Sequence, residues 1–257
     1  MPPGPAELAS VVFFIYCAAT AAALERRQRN RVLLACAAGA VTVAIWTISR
    51  PWPIAREWIL PPLVLLMAYW TSGALFTGPW PAAERRLQAI DRAFGIAALS
   101  ARAPRIVAEI LEGAYVGVYP IIPIALAIHL TLTPHPDVDR FWTVILLTDY
   151  ACFAMLPWIP TRPPRTLEAG EPWRSSVRRF NAVLLGRASI GANTFPSGHA
   201  AEALAAALLV ADAPPAVAAA MCVVSAAIGA GAVFGRYHYA ADALAGYAVA
   251  VIVWWVV

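Results

Sequence analysis

Eight long apolar runs dominate this chain, at roughly residues 7–24, 32–48, 58–77, 106–130, 141–159, 197–213, 216–234 and 239–257. A segment inside lipid must satisfy its own backbone N–H and C=O groups, and a helix does so within one segment. The chain is 61% hydrophobic and 13% charged, with a mean hydropathy of +0.66; soluble domains carry about 25% charged residues. The expected fold class is therefore all-α integral membrane, with about eight transmembrane helices, although several runs fall short of the roughly 20 residues that cross a bilayer core. Pro214-Pro215 breaks one long apolar stretch into a helical hairpin. Residues 82–101 differ from the runs: Leu87, Ile90, Phe94 and Ala97 recur at helical spacing among Glu84, Arg85, Arg86, Asp91 and Arg92. That pattern predicts an amphipathic helix at the membrane interface. Residues 1–57 are expected to supply two additional N-terminal helices, and residues 58–257 the membrane core that carries the motifs below.

The connections alternate in charge. Residues 25–31 hold four arginines, 78–105 hold five, 160–196 hold six, and Arg236 follows, giving 16 on one side. The opposite connections hold three: Arg50, Arg56 and Arg140. The positive-inside rule puts the arginine-rich side, with the 160–196 loop, in the cytoplasm and both termini outside. The N-terminus has no positive n-region, so the first span is expected to be retained; the expected location is a bacterial inner (plasma) membrane. All 19 basic residues are arginine, so any fixed phosphate-binding cation here is a guanidinium, which is planar, bidentate and always charged. The cysteines Cys17, Cys36, Cys152 and Cys222 lie inside apolar runs with no CxxC pair, and are read as buried free thiols.

Two short stretches carry chemistry: Pro196-Ser197-Gly198-His199, and Arg236-Tyr237-His238-Tyr239-Ala240-Ala241-Asp242. The histidines are 39 residues apart, about the length of one helix out, the turn at Pro214-Pro215, and one helix back, so both imidazoles reach the same membrane face. A histidine at the mouth of a membrane helix is costly unless it functions. Asp242 follows His238 by four residues, close enough for its carboxylate to orient the ring. Ser197 is suited to cap the following helix, Gly198 lets an anion approach the backbone, and the first amides of that helix favour a phosphate. Arg236 can add a bidentate contact, and Thr161-Arg162-Pro163-Pro164-Arg165 brings two more guanidiniums to the same face. Two histidines in an anion cage can perform phosphoryl transfer, one attacking phosphorus and the other protonating the leaving oxygen. This chemistry requires no metal and no cofactor.

These motifs resemble those of the type-2 phosphatidic acid phosphatase superfamily, the lipid phosphate phosphatases, whose three elements are Lys…Arg-Pro, Pro-Ser-Gly-His and Ser-Arg…His-x-x-x-Asp. The second is complete at Pro196 to His199. The third matches at Arg236, His238 and Asp242, followed by Ala-Leu-Ala-Gly at 243–246. The first matches as Arg162-Pro163, or alternatively as Arg165 after Pro164. The resemblance covers about residues 140–250. It implies a six-helix core, His238 as nucleophile forming a phosphohistidine, Asp242 orienting it, and His199 as general acid. It also implies that Ser197, Gly198, Arg236 and Arg165 or Arg162 hold the phosphate. Two departures stand out. The family's lysine position falls on Met155 or Trp158, and a single residue, Tyr237, separates Arg236 from His238 where the family usually has five. The compact form is similar to a branch that includes inositol phosphorylceramide synthases, which transfer a head group to an alcohol rather than to water.

The expected activity is hydrolysis or transfer of the phosphate of a membrane lipid: phosphatidate, phosphatidylglycerophosphate, or a polyprenyl phosphate or diphosphate. The partners are that lipid and the bilayer, with no nucleic acid. The competing class is a non-enzymatic membrane transporter, against which the ionisable cluster at helix ends argues. Among the remaining polar residues, Arg174, Arg178, Arg179 and Arg187 read as contacts to anionic lipid, and Glu202 as a neighbour of His199. Glu109 and Glu112 share one face of the fourth run, and Asp149 lies within the fifth. His129 and His135 read as solvated, and Trp52, Trp58, Trp80 and Trp142 as an interfacial belt.

Overall fold

A computed structural model describes residues 2–168 and 170–257. Among these, the regular structure is helical: α1 (Pro5–Thr20), α2 (Arg26–Ile48), α3 (Leu60–Gly73), α4 (Pro81–Ala93), α5 (Ile96–Arg102), α6 (Arg105–Val116), α7 (Val118–Leu132), α8 (Val138–Ala154), α9 (Ser176–Ala188), α10 (Gly198–Leu208), α11 (Pro215–Phe234) and α12 (Ala240–Val256). Among the described residues, three stretches are long and apolar enough to cross a membrane: Pro5–Ala23, Arg26–Ile48 and Pro215–Phe234. The expected span at 106–130 is instead a pair, α6 and α7, bent by 63°. The bend falls at Gly117, where a Cβ would stand 2.9 Å from the Ala114 carbonyl oxygen. Counted as one, the pair makes a fourth span.

The core is built around α8 and α10. Helix α8 is buried on nearly every side, from Phe141 to Phe153, as expected of a helix that is apolar all round. It packs against α1, α3, α10 and α12. Helix α10 meets α7, α8, α11 and α12 through Ala200, Ala201, Ala203, Ala205, Ala206 and Ala207, all buried. Small side chains let helix backbones approach closely. One such approach is at Gly246 of α12, where a Cβ would stand 2.4 Å from the Ser197 carbonyl oxygen.

Helices α1 and α2 pack on each other and on α3, and turn Leu8, Val12, Ile15, Leu34 and Val41 outward. A molecule with so much aliphatic surface is stable in lipid rather than in water. At one end, Arg56 pairs with Glu7 at 3.1 Å and Asp139 at 2.9 Å, and Arg140 donates to the Trp254 carbonyl. His129, expected to be solvated, is 6% exposed there. Its Nε2 accepts from the Asp137 N–H at 2.9 Å, so Nδ1 carries the proton and donates to the Leu209 carbonyl at 2.9 Å. Trp142, expected in a surface belt, is 2% exposed and donates to the Glu57 carbonyl. Cys222 is the exposed exception among the cysteines.

The opposite end gathers the candidate motifs. The expected interfacial helix is two helices, α4 and α5, joined at Gly95, whose φ of +65° is in the left-handed region. The face that α4 buries is Ala83, Glu84, Leu87 and Asp91, while Ile90 and Phe94 are exposed. The predicted apolar stripe therefore splits. Its Leu87 joins two acids that turn inward, because the groups they meet are an arginine and the amides of neighbouring loops.

Gly246→Ala is expected to force α10 and α12 apart and cost roughly 1–3 kcal/mol, as overpacking does. Gly113→Ala, whose Cβ would meet nothing within 4 Å, should be neutral or stabilising by up to about 1 kcal/mol. Thermal unfolding of the two variants in detergent checks the contrast.

Candidate active site

Backbone hydrogen bonds stitch the three motif-bearing loops together. The Ser197 N–H donates to the Asp242 carbonyl at 2.9 Å, and the Arg165 N–H to the Arg236 carbonyl at 2.9 Å. The Tyr239 hydroxyl donates to the Arg162 carbonyl at 3.1 Å. Asn193 ties all of this to the preceding chain. Its N–H donates to the Thr161 carbonyl, and its Nδ2 donates to the Thr161 hydroxyl at 3.0 Å and to Asp242 Oδ2 at 2.8 Å.

His199 and His238 come together with ring centroids 5.6 Å apart. His238 sits outside the helices, in the 235–239 turn. Arg236 turns the chain there with a φ of +59°, uncommon for a residue other than glycine. Gly235 precedes it because a Cβ would meet the Tyr237 ring at 2.5 Å and the Gly231 carbonyl oxygen at 2.6 Å. This sharp turn lets a single residue separate Arg236 from His238. His238 Nδ1 lies 3.6 Å from Asp242 Oδ2, so the carboxylate faces the ring, although its hydrogen bonds come from Asn193 and the Tyr239 N–H. Burial, and next the Arg165 guanidinium, push the His238 pKa down to about 3, and the ring is neutral at physiological pH. A neutral imidazole keeps one nitrogen lone pair free.

The other motif residues divide. Arg165 lines the cavity that holds both histidines and lies 5.4 Å from the centre of the Tyr237 ring. Arg162 does not line it. Its guanidinium and backbone N–H donate to Glu84 at 2.9–3.0 Å, and those hydrogen bonds hold the Glu84 carboxyl below its ordinary pKa. Arg236 pairs with Glu168 at 3.0 Å, while its Nε is buried and unpartnered. The Ser197 hydroxyl accepts from the Ala200 N–H, and the Gly198 N–H donates to the Thr194 hydroxyl. Three of the amides at the start of α10 thus already have protein partners.

Sequence reasoning missed the support behind Tyr237. Arg178, expected at the lipid surface, is 8% exposed and pairs with Glu112 at 2.8 Å. Glu112 also accepts from Trp173 at 2.8 Å, Asn181 at 2.6 Å and the Tyr237 hydroxyl at 2.6 Å. Tyr237 stacks on Tyr115 at 3.9 Å, and Tyr115 stacks on His199 at 5.5 Å, so the Glu112 cluster reaches the second histidine through two rings. Nearby, Glu109 accepts from Ser175 and the N–H groups of Ser176 and Val177, fixing the start of α9. Asp91 accepts from the Ala240 N–H at the start of α12.

The cavity has a volume of about 380 Å³. Its polar end holds Arg165, His199, His238, Asp149 and Glu202; its far end is lined by Trp58, Leu126 and Trp142. No group of three or more His, Cys, Asp or Glu side chains able to hold a metal ion occurs among the described residues.

A family model of the PAP2 superfamily matches residues 82–256. The chain belongs to the PAP2 superfamily. Membership makes it, in coarse terms, a phosphatase or phosphotransferase of lipid-like substrates. The match begins at α4, well before the 140–250 region that carries the motifs, and so takes in Glu84, Asp91 and Glu112, which hold those motifs in place. No curated protein and no solved structure matches the chain.

Removing one partner of a buried ion pair strands the other. Glu112→Ala should destabilise this PAP2 protein by about 3–5 kcal/mol, and Glu112→Gln by less, since the amide oxygen still accepts from Arg178. Melting temperatures of the two variants in detergent check the order.

Proposed function

We propose that the protein hydrolyses or transfers the phosphate group of a membrane lipid through a phosphohistidine on His238. The observation that carries this reading is the cavity itself. It joins two imidazoles and a guanidinium at one end to an apolar passage. The passage follows α8 from Phe153 to Trp142, about 16 Å at the helical rise of 1.5 Å per residue. A phosphate at the polar end with its lipid tail along the passage fits that gradient. Phosphatidate, phosphatidylglycerophosphate and polyprenyl phosphates or diphosphates are the candidate classes.

In the proposed mechanism, His238 Nδ1 faces Asp242 and Nε2 attacks phosphorus. The P–O bond to the lipid breaks, and its oxygen takes a proton from His199, which has taken up that proton from solvent as the negative phosphate enters beside it. Water or an alcohol then attacks the phosphohistidine, gives its proton to His199, and releases Nε2 as the P–N bond breaks. Arg165 compensates charge on the equatorial oxygens. Arg236 joins it where its pairing with Glu168 gives way to phosphate, and Ser197 and Gly198 shape the turn beneath it. Arg162 acts through Glu84 as an anchor. Transfer to an alcohol is a second reading, favoured by the compact Arg236-Tyr237-His238 spacing. The eight apolar segments form the membrane domain, and the arginine-rich end with the active site faces the cytoplasm.

Purified protein in detergent with EDTA should release phosphate from a lipid phosphate or exchange its head group, and vanadate should inhibit. His238→Ala should abolish turnover and phosphohistidine labelling. His199→Ala should lower kcat by about 100- to 10,000-fold, with melting temperatures unchanged in both. Full turnover in either variant rejects the roles given to the pair. For orientation, a cysteine replacing the exposed Arg187 in a cysteine-free background should resist an impermeant maleimide in intact cells and react after lysis.

A further inference from the structure

Two carboxyl groups in the cavity wall have no part in the mechanism above. Asp149 on α8 is 1% exposed; both of its oxygens are buried, and no described protein group donates to either. Oδ1 lies against the start of α10, 3.4 Å from where a Cβ on Gly198 would stand. Glu202 follows His199 by three residues on α10, on the same helical face. Both acids line the cavity, near enough for their charges to repel. An unpartnered buried carboxyl is costly. Even a protonated carboxyl keeps acceptor lone pairs, and those of Asp149 have no described protein donor. Tyr69, Tyr115, Tyr119 and Arg165 also line the cavity among the described residues, yet none donates to Asp149, so its unmet acceptors call for hydrogen-bond donors carried by the occupant. Glu202 lies one turn beyond His199 on α10 and Asp149 lies against Gly198 just before it, so the two acids flank the turn of α10 that carries His199.

We infer that Asp149 and Glu202 form a specificity subsite that accepts hydrogen bonds from a hydroxyl or amide N–H in the lipid portion next to the phosphate ester. The inference rests on the reading of this cavity as a lipid-phosphate site. It narrows the substrate class to lipid phosphates with a free donor at that position, such as lyso-glycerolipid phosphates or sphingoid phosphates, over polyprenyl phosphates, which have none. Sites built to hydrogen-bond a substrate hydroxyl discriminate strongly against analogues lacking it.

The test compares kcat/KM for a lysophosphatidate bearing a free 2-hydroxyl and for its 2-deoxy analogue of the same chain length. The wild type should prefer the hydroxyl-bearing lipid by at least about 100-fold. Asp149→Leu and Glu202→Gln should collapse that ratio through loss on the hydroxyl-bearing lipid alone, with the deoxy rate held within a few-fold. Asp149→Leu should also melt no lower than the wild type, because it removes an unpartnered polar group. Equal use of both lipids by the wild type needs no variant to interpret; it overturns the subsite while leaving the lipid-phosphatase reading intact. Equal loss on both lipids in the variants assigns the acids a structural role and also overturns it. No turnover of either lipid by the wild type rejects the lipid-phosphate reading and the subsite with it.

Discussion

Asp242 is the residue on which the rest of the site hangs. Its carbonyl receives the Ser197 N–H, its Oδ2 receives Asn193 and the Tyr239 N–H, and the same oxygen faces His238. One residue therefore joins the turn before α10, the start of α12 and the 161–165 loop, the last by way of Asn193. In a low-dielectric interior such a network is stiff when satisfied and costly when broken. That stiffness sets the separation of the two imidazoles, because each histidine lies within a few residues of an Asp242 contact. The absence of a Cβ on Gly246 belongs to the same constraint, since it lets α12 come close enough for these short bonds to form.

Outside that knot sits a layer of buried charge that chemistry alone does not require. Glu84, Asp91 and Glu112 each receive hydrogen bonds from a motif loop or from the helices beside one. They lie on α4 and α6, upstream of every motif. Loops that meet at a membrane surface have few apolar contacts to hold them, and carboxylates that accept several donors replace such contacts. Glu112 is the strongest case: its partners order Tyr237, and Tyr237 and Tyr115 then fix the plane of His199 by stacking.

Much of this was legible in the sequence, and the reasons for the failures are specific. The all-helical class followed from the apolar runs, and the meeting of His199 and His238 followed from their spacing and the Pro214-Pro215 turn. Helix α4 was legible as an amphipathic helix but not in the direction it faces: Glu84 and Asp91, seven residues apart, lie on one face, and only the positions of Arg162 and Ala240 make that face the inner one. Arg178 and His129 were misread for a related reason. A charged or polar side chain in a connecting segment is solvated by default, and their buried partners, Glu112 and the Leu209 carbonyl, are distant in sequence. Asn193 had no signal beyond its place three residues before Pro196. Glu109 and Glu112 did carry one, as acids spaced three apart on an otherwise apolar run, and the structure gives both partners.

The two arginines of the first motif show how local backbone chemistry decides electrostatics. Pro163 and Pro164 fix φ at two successive positions and remove two donors. The chain therefore passes from extended backbone at Pro163 into a single helical turn at Pro164–Thr166. Arg162, before the prolines, turns outward and finds Glu84. Arg165, after them, gives its N–H to the Arg236 carbonyl and directs its guanidinium over Tyr237 into the cavity. Since Arg236 is paired with Glu168, Arg165 is the fixed cation that the histidines face. In this chain Met155 or Trp158 stands where a lysine would add a second, and the cavity wall adds two acids instead. The polar end is therefore far less cationic than the arginine-rich loops around it, and recognition there depends on hydrogen-bond geometry as much as on charge.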